Sequence, residues 1–453
     1  MEHKSLSRRS FLRLAAGVAT GALLAACAPK VVKETVVVEK EKLVTEVVKE
    51  TVVVAGTPKV VEKEVTKVVE KVVEKKVEQP INLQVWHYPC GFPAEQPQAD
   101  LITKWGEEYK DSHPNVTVQQ QALGWDAIPK VQMATVSGNP PNVILRQSVD
   151  SIINAVQGGV AIDFDLPDEF IADLPKGWYE GMKYMGKNFQ VPFYTLGNGM
   201  VLNLTLIRHF GAEDLVPKAP ERAWNFDQYL ELMKRCTGKG PDGKDVYGAA
   251  WMASQSNPFY YWPEQVMMWG WPADDVEYKD GKWRCKLADE ESIAFLKWWQ
   301  ECYTVHHICP NPSGFQRSRW EMWDQQELIS GIGPDISWSK RVDVEVDQET
   351  LICKNTKINF EWIFVRCPNG PKAPNGYVWG GPKLDVNSMP FKTKYDYETP
   401  VSVDFCLFMS NREHQKFIAK YLLPARLSAV EDVQDNMLKW HLTNYIPYGR
   451  QRA

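Results

Sequence analysis

The sequence predicts an α/β fold of the doubly wound kind, divided in two by a central crossing, and three observations predict it. From Pro80 onward, segments of alternating hydrophobicity take turns with segments of helical spacing. Near the middle of the chain, a glycine-containing stretch separates two β-type runs. At 453 residues the chain has room for two or three domains, and 44% hydrophobic with 24% charged is the composition of a globular protein.

The elements follow in order. Ser7-Arg8-Arg9-Ser10-Phe11-Leu12-Arg13 opens a basic stretch, Leu14–Leu24 is an apolar run too short to span a bilayer, and Leu24-Ala25-Ala26-Cys27 follows. The twin arginines resemble a twin-arginine export signal. Leu-Ala-Ala-Cys resembles a lipobox, which implies that Cys27 is lipidated and becomes the first mature residue. Residues 28–79 are almost only Val, Lys, Glu and Thr, with VVKETVVV at Val31–Val38 and again at Val47–Val54. Val61, Val65, Val69, Val73 and Val77 recur every fourth residue, as one helical stripe would, and Val61, Val65, Val68 and Val72 have the spacing of a short coiled coil. Neither pattern carries enough apolar surface to fold alone, so the segment reads as a spacer of balanced charge.

Ile81–Trp86 alternates as a first strand and delivers His87-Tyr88-Pro89 to its carboxyl end, where ligands sit in open α/β sheets. Asp100–Ser112 has helical spacing, Val116–Gln120 alternates, Asp126 opens a helix that stops at Gly138, and Val143–Leu145 is a third strand. In Gly186–Gly211, Phe189–Tyr194 and Met200–Leu204 are β-type, and Thr195–Gly199 between them contains two glycines and an asparagine. That composition serves an ordinary loop or a hinge. Further on, Phe226–Arg235 and Glu290–Tyr303 read as helices, Val246–Trp251 and Val401–Phe408 as strands, and Asn411–Leu423 as a helix.

Several of these segments resemble one family. The frame from Gly186-Lys187 through Val191-Pro192-Phe193 to Asn203, Ile207 and Gly211 is similar to the first interlobe crossing of the family 1 extracellular solute-binding proteins. These are the maltose-binding-protein-like, sugar-binding lipoproteins and periplasmic proteins of ABC importers. Ser137-Gly138-Asn139-Pro140-Pro141-Asn142-Val143 resembles a second family segment, with Asn142 where Asp is common. Trp224-Asn225-Phe226-Asp227 and Pro258-Phe259-Tyr260-Tyr261-Trp262-Pro263 resemble two more. Gly333-Pro334-Asp335 has Asp335 where the family usually has Trp. The resemblance implies a two-lobed periplasmic-binding-protein-like fold of type II, each lobe a doubly wound sheet with flanking helices. Its first lobe would be 80–195 plus 380–424, and its second 196–379 plus 425–453. Tyr445-Ile446-Pro447-Tyr448-Gly449-Arg450 resembles a family turn that several helices normally follow, so the second lobe is expected to lack its closing helices.

The implied ligand is a sugar or oligosaccharide held in the interlobe cleft and passed to a membrane permease, with the protein tethered by lipid to the outer face of the cytoplasmic membrane. Candidate ligand contacts are His87, Tyr88, Trp125, Arg146, Gln147, Ser148, Tyr194, Thr195, Asn257, Phe259, Tyr260, Trp262, Asp335, Trp338 and Trp379. Aromatic faces match the C–H face of a pyranose, while amides, hydroxyls and carboxylates take its hydroxyls. Other aromatics, among them Trp105, Trp298 and Trp299, have the spacing of core residues.

The charge and the remaining motifs narrow the classes further. Residues 1–30 hold five basic and one acidic residue and 31–79 ten of each, so the net charge of −5 becomes −9 for the rest, which argues against a nucleic-acid partner. Cys302, His306, His307 and Cys309 could be drawn as a metal site, but the resembling family has only a helix end and turn there. No cofactor or metal is expected. Asp274-Asp275 and Glu290-Glu291 adjoin in sequence, which says nothing about the facing geometry that glycoside hydrolysis needs. A binding protein is therefore expected rather than an enzyme, and a membrane-tethered glycan-degrading enzyme is the rival class.

Overall fold

The structure, a computed structural model, describes residues 44–54, 57–67, 79–88, 92, 97–124, 127–147, 150–175, 178–250, 267–268, 270–271, 273, 276–279, 282–311, 317–371 and 385–444. It divides into two units, Met1–Gln79 and Pro80–Ala453. In the first unit, β1 (Val44–Val54) and β2 (Thr57–Lys67) pair antiparallel, with Val48 opposite Lys63 and Val52 opposite Lys59. The helical stripe expected to begin at Val61 and Val65 is not formed there. Valine and threonine lose side-chain freedom in a helix and favour extended backbone, so local propensity prevails over the four-residue period.

The second unit is built on two sheets. Parallel β3 (Ile81–His87), β4 (Val116–Ala122) and β5 (Val143–Gln147) lie in the order β4-β3-β5. They are linked by α1 (Gln98–Ser112) and α2 (Ala127–Val136), and α3 (Asp150–Gln157) follows β5. Antiparallel β16 (Asp385–Pro390), β6 (Val191–Thr195) and β17 (Leu423–Pro424) complete this six-stranded sheet in the order β17-β6-β16-β5-β3-β4. Leu83, Val85, Val143 and Leu145 are fully buried in its centre, each contributing about 1.5–3 kcal/mol relative to exposure. The short helix α4 (Asp168–Ala172) lies between α3 and β6 in the chain.

The second sheet has the order β12-β7-β15-β14-β13, from β12 (Ser330–Asp335), β7 (Asn198–Asn203), β15 (Phe360–Val365), β14 (Ile352–Asn355) and β13 (Val344–Val346). The doubly wound expectation describes the first sheet better than this one. All described strand pairs here are antiparallel, and parallel links survive as isolated bridges, between Tyr247 and Leu328 and between Asn225 and Asn369. Of the strand expected over Val246–Trp251, whose last residue lies outside the described residues, the described part forms β9 (Asp245–Val246), paired with β8 (Gly238–Lys239). A second small hairpin joins β10 (Val276–Lys279) and β11 (Lys282–Cys285).

Three of the helices on this part begin where a side chain satisfies an early amide. Asn203 accepts from the Leu206 amide to open α5 (Leu204–His209), and Asn225 and Gln228 form a reciprocal capping box at α6 (Phe226–Arg235). α7 (Glu290–Thr304) and α8 (Arg319–Asp324) follow, α8 being the third helix capped in this way. Phe226, Trp271, Phe295 and Trp298 pack ring on ring in one core, and Trp105 stacks on His414 in the other, placing Trp298 and Trp105 as their spacing suggested.

Val401–Phe408 is a helix rather than the expected strand. It forms most of α9 (Thr399–Met409), with Pro400 in the first turn and Ser402, Phe405, Cys406 and Met409 buried along one face. A short, nearly continuous apolar run does not display its period, and the strand that returns to the first sheet is β16, within the 368–400 connection. After α10 (Arg412–Ile418), one helix of the C-terminal stretch packs on the second sheet. This is α11 (Asn436–Asn444), whose His441 meets Phe364 edge to face at 4.5 Å. Among the described residues no helix is long and apolar enough to cross a membrane.

Cys236, Cys285, Cys302, Cys353, Cys367 and Cys406 form no disulfide, and of the described cysteines only Cys285 is exposed. Burial pushes the Cys236 and Cys406 thiols up to about 12 and those of Cys302, Cys353 and Cys367 higher still. Cys302 and Cys309 pack in the core, and no group of three metal-ligating side chains gathers among the described residues.

The family departure at Asn142 has a partner. Its side-chain oxygen accepts from the Gln84 amide, and its Nδ2 donates to the buried Glu398 carboxylate at 2.9 Å, which also accepts from Thr393 Oγ1. Asn142→Asp would set two carboxylates within hydrogen-bond distance, where both cannot stay ionised. It should destabilise the fold by on the order of 2–3 kcal/mol at neutral pH, a loss that shrinks as acid protonates the pair, read from urea midpoints at pH 7.5 and 5.

His414 and His441 are buried and held neutral, His414 by burial and His441 by burial reinforced by the charges of Lys340 and Arg222. Their folded values lie below the ordinary 6.5, so the unfolded chain takes up protons first as pH falls. Their stabilisation is complete above pH 6.5 and declines below it, by at most about 1.4 kcal/mol per pH unit for each ring. Unfolding midpoints should fall between pH 7 and pH 5, and His414→Gln should flatten that slope.

Candidate functional site at the junction of the two sheets

β6 ends in the first sheet at Thr195 and β7 begins in the second at Asn198, leaving only Leu196 and Gly197 to cross. Gly197 adopts φ +56°, a left-handed conformation that glycine tolerates without strain, and its amide donates to Thr195 Oγ1. The Leu196 carbonyl accepts from the Ile336 amide at 3.1 Å, which ties the chain leaving β12 to the same crossing.

Strand register brings further segments to this junction. On the first sheet, β3 ends at His87, β5 at Arg146-Gln147, and β16 begins with Asp385 opposite Thr195 and Val386 opposite Gln147. On the second, Asp335 at the end of β12 lies opposite Asn198. Backbone pairing therefore gathers Arg146, Gln147, Thr195, Asn198, Asp335 and Asp385 at the facing ends of the two sheets. Asn198 and Asp385 were not among the sequence candidates. Asn198 was visible only as part of a turn-like composition, and Asp385 lies in a connection whose strand the sequence did not reveal.

Several candidates prove to be packed rather than presented. The Tyr194 ring is buried, with its hydroxyl donating to Gln98 Oε1 at 2.9 Å and the Phe92 ring edge-on at 5.1 Å. Its place in β6 alternates with Phe193 in a strand covered on both faces, which sequence spacing could not distinguish from a rim position. Thr195 is fully buried as well. His87 is buried with Nε2–H donating to Gln120 Oε1 at 2.8 Å, and burial lowers its pKa, so the neutral ring braces β3 against β4. Tyr88 is half-buried beside the Leu123–Ile144 cluster.

Trp338 is half-buried in an aromatic group, 5.2 Å from Trp320, 5.9 Å from Trp323 and 6.3 Å from Trp362, ring centre to ring centre. Trp323 and Trp362 are fully enclosed and Trp320 is half-buried, so the group runs from core to surface. Trp125, Ser148, Asn257, Phe259, Tyr260, Trp262, Trp379 and Cys27 lie outside the described residues.

The sequence matches the family model for bacterial extracellular solute-binding proteins over residues 94–300. No curated protein matches it in sequence. Among solved structures, the cyclic alpha-maltosyl-1,6-maltose binding protein of Arthrobacter globiformis superposes with a TM-score of 0.57 at 18% identity, covering 82% of this chain and 86% of that one. A sugar transporter protein from Arthrobacter chlorophenolicus, solved with bound laminaribiose, gives 0.57 at 16% identity over 81% and 86%. An ABC substrate-binding protein of Listeria monocytogenes in complex with cycloalternan gives 0.55 at 14% over 82% and 85%. At these identities the structures speak for the fold, which is the type II periplasmic-binding-protein fold that the sequence resemblance implied. Through the match over residues 94–300 and the architecture of its two sheets, the chain is similar to the bacterial extracellular solute-binding proteins in sequence over that segment and in fold beyond it.

Proposed function

We propose that this protein is the substrate-binding component of an ABC importer, capturing a sugar or oligosaccharide between two lobes and delivering it to a membrane permease. The observation that carries the reading is the two-residue crossing at Leu196–Gly197, with the polar ends of both sheets brought to it by register. A ligand that touches both lobes makes more contacts when they close, and so shifts the equilibrium toward the closed state. The sugar-bound neighbours support a carbohydrate as the ligand class. In this reading Arg146, Gln147, Ser148, Asn257 and Asp335 serve hydroxyls, while Tyr88, Trp125, Phe259, Tyr260, Trp262, Trp338 and Trp379 supply ring faces. Lobe 1 comprises 80–195 plus 380–424, and lobe 2 comprises 196–379 plus 425–453. With Asp335 in place of the usual Trp, one stacking surface is exchanged for a hydrogen-bond acceptor.

Thermal-shift screening of the purified protein against mono- and oligosaccharides tests the reading, because a ligand specific to the native state raises the unfolding midpoint by mass action. Release of shortened sugars from a bound oligosaccharide would favour the rival, glycan-degrading class. With a ligand in hand, Phe259→Ala should weaken binding by on the order of 1–3 kcal/mol by calorimetry with the unfolding midpoint little changed. Unchanged affinity would move the site away from the Pro258–Pro263 segment.

The leader sets the location in this proposal: export through the twin-arginine route, then lipidation at Cys27 and retention on the outer face of the cytoplasmic membrane. Each buried methylene of an anchor contributes about 0.8 kcal/mol, and two chains hold where one does not. Cys27→Ser should yield exported protein that washes from membranes. Its persistence in the membrane fraction would show that another segment anchors it.

A further inference from the structure

The chain passes from the first sheet to the second through Leu423–Asn444, and each end of that passage is fastened by a largely buried ion pair. At the first sheet, β17 pairs with β6, and the Gln415 side chain bridges the Phe193 carbonyl and the Ala425 amide. The Asp173 carboxylate, just past α4, then accepts from Arg426 Nε, the Ser428 amide and Ser428 Oγ, each at 2.6 Å, while the Arg426 guanidinium covers the Phe170 ring. At the second sheet, Lys340 Nζ donates to Asp435 Oδ2 at 2.6 Å, and α11 is held by Trp440 Nε1–H on the Pro220 carbonyl and by Arg366 on Asn444. Lys340 ends the turn Ile336–Lys340, whose first amide is bonded to the Leu196 crossing. Between Ser428 and Asp435 lie six residues, of which Ala429 is buried and Val433 belongs to the core that continues under both sheets.

We infer that this passage is a strap that limits lobe opening, with Asp173–Arg426 and Lys340–Asp435 as its two clamps. The inference rests on the reading of the two sheets as lobes that move. A segment fastened this closely to both bodies leaves only residues 429–434 to take up a rotation about Leu196–Gly197. Releasing either clamp lengthens the free segment and widens the range that the unliganded lobes explore. Asp173, Arg426, Lys340 and Asp435 are positioning residues here and touch no ligand in the proposed site.

Asp435→Asn tests one clamp with little collateral change. The Asp435 carboxylate also accepts from the Leu438 amide at the start of α11, a capping role that asparagine fills equally well, so the variant removes the ion pair and keeps the cap. Asp173→Asn tests the other clamp, and Asp435→Glu is the rescue. The measurement is the interlobe distance distribution by pulsed electron resonance in full-length, ligand-free protein, with labels carried by unnatural amino acids at exposed Lys110 and Lys297. Both asparagine variants should broaden the distribution toward longer distances, and Asp435→Glu should restore the wild-type width. Variants that lower the thermal midpoint but keep the wild-type distribution would overturn the strap. A wild-type distribution already as broad as the variants' would overturn it too, while leaving lobe motion standing. A single narrow distance in every protein would overturn the strap and the closure reading together.

Discussion

Between Thr195 and Asn198 the chain has two residues in which to leave one sheet and enter another, and the rest of the molecule is arranged to make that possible. Glycine at position 197 supplies a backbone conformation that other residues reach only with strain, and the carbonyl beside it is occupied by the chain returning from β12. Because the link is so short, the two sheets must meet end to end, and whatever stands at their facing ends becomes a common surface. Arg146, Gln147, Asn198, Asp335 and Asp385 stand at those ends by backbone register, in four separate stretches of chain. No shorter-range pattern unites them.

The parts of this arrangement that were legible in sequence are those governed by local physics. α6 begins and ends where its periodicity indicates, and the parallel strands β3 and β4 show their alternation openly, while β5 declares itself as a short apolar run after Pro140-Pro141. α9 was misread because its run of apolar residues, buried by the sheet above it, lacks a polar face to declare a period of 3.6. Tyr194 was misplaced for a related reason: spacing assigns it to a strand end, and only the far side of the chain, where Gln98 and Phe92 arrive, decides that the ring is covered. Asp385 went unnoticed because a strand of mixed composition, Asp385–Pro390, is recognised by its partners β5 and β6 and not by itself. Site residues that depend on long-range register are the ones a single sequence conceals.

Asn142 shows how a departure from a family pattern becomes intelligible once its surroundings are known. The amide is the one side chain of that size that can both accept from the Gln84 backbone and donate to a buried carboxylate. Position 142 and position 398 are far apart in sequence, yet they form one hydrogen-bonded unit with Thr393, and the identity of each is set by the others.

The buried cysteines have a consequence for the life of the protein in the exported location proposed for it. An oxidising compartment normally selects either for disulfides or for the loss of cysteine. Oxidation and exchange proceed through the thiolate, and interior thiols such as Cys236 and Cys406, pushed up to about 12, ionise hardly at all at neutral pH. Such thiols are protected for as long as the fold stays shut around them, and they become vulnerable at the moment it opens. Chemical ageing of this protein would then be governed by how often its interior opens, and Cys285, on the exposed β10–β11 hairpin, would be the described thiol that records exposure to oxidants while the molecule is still folded.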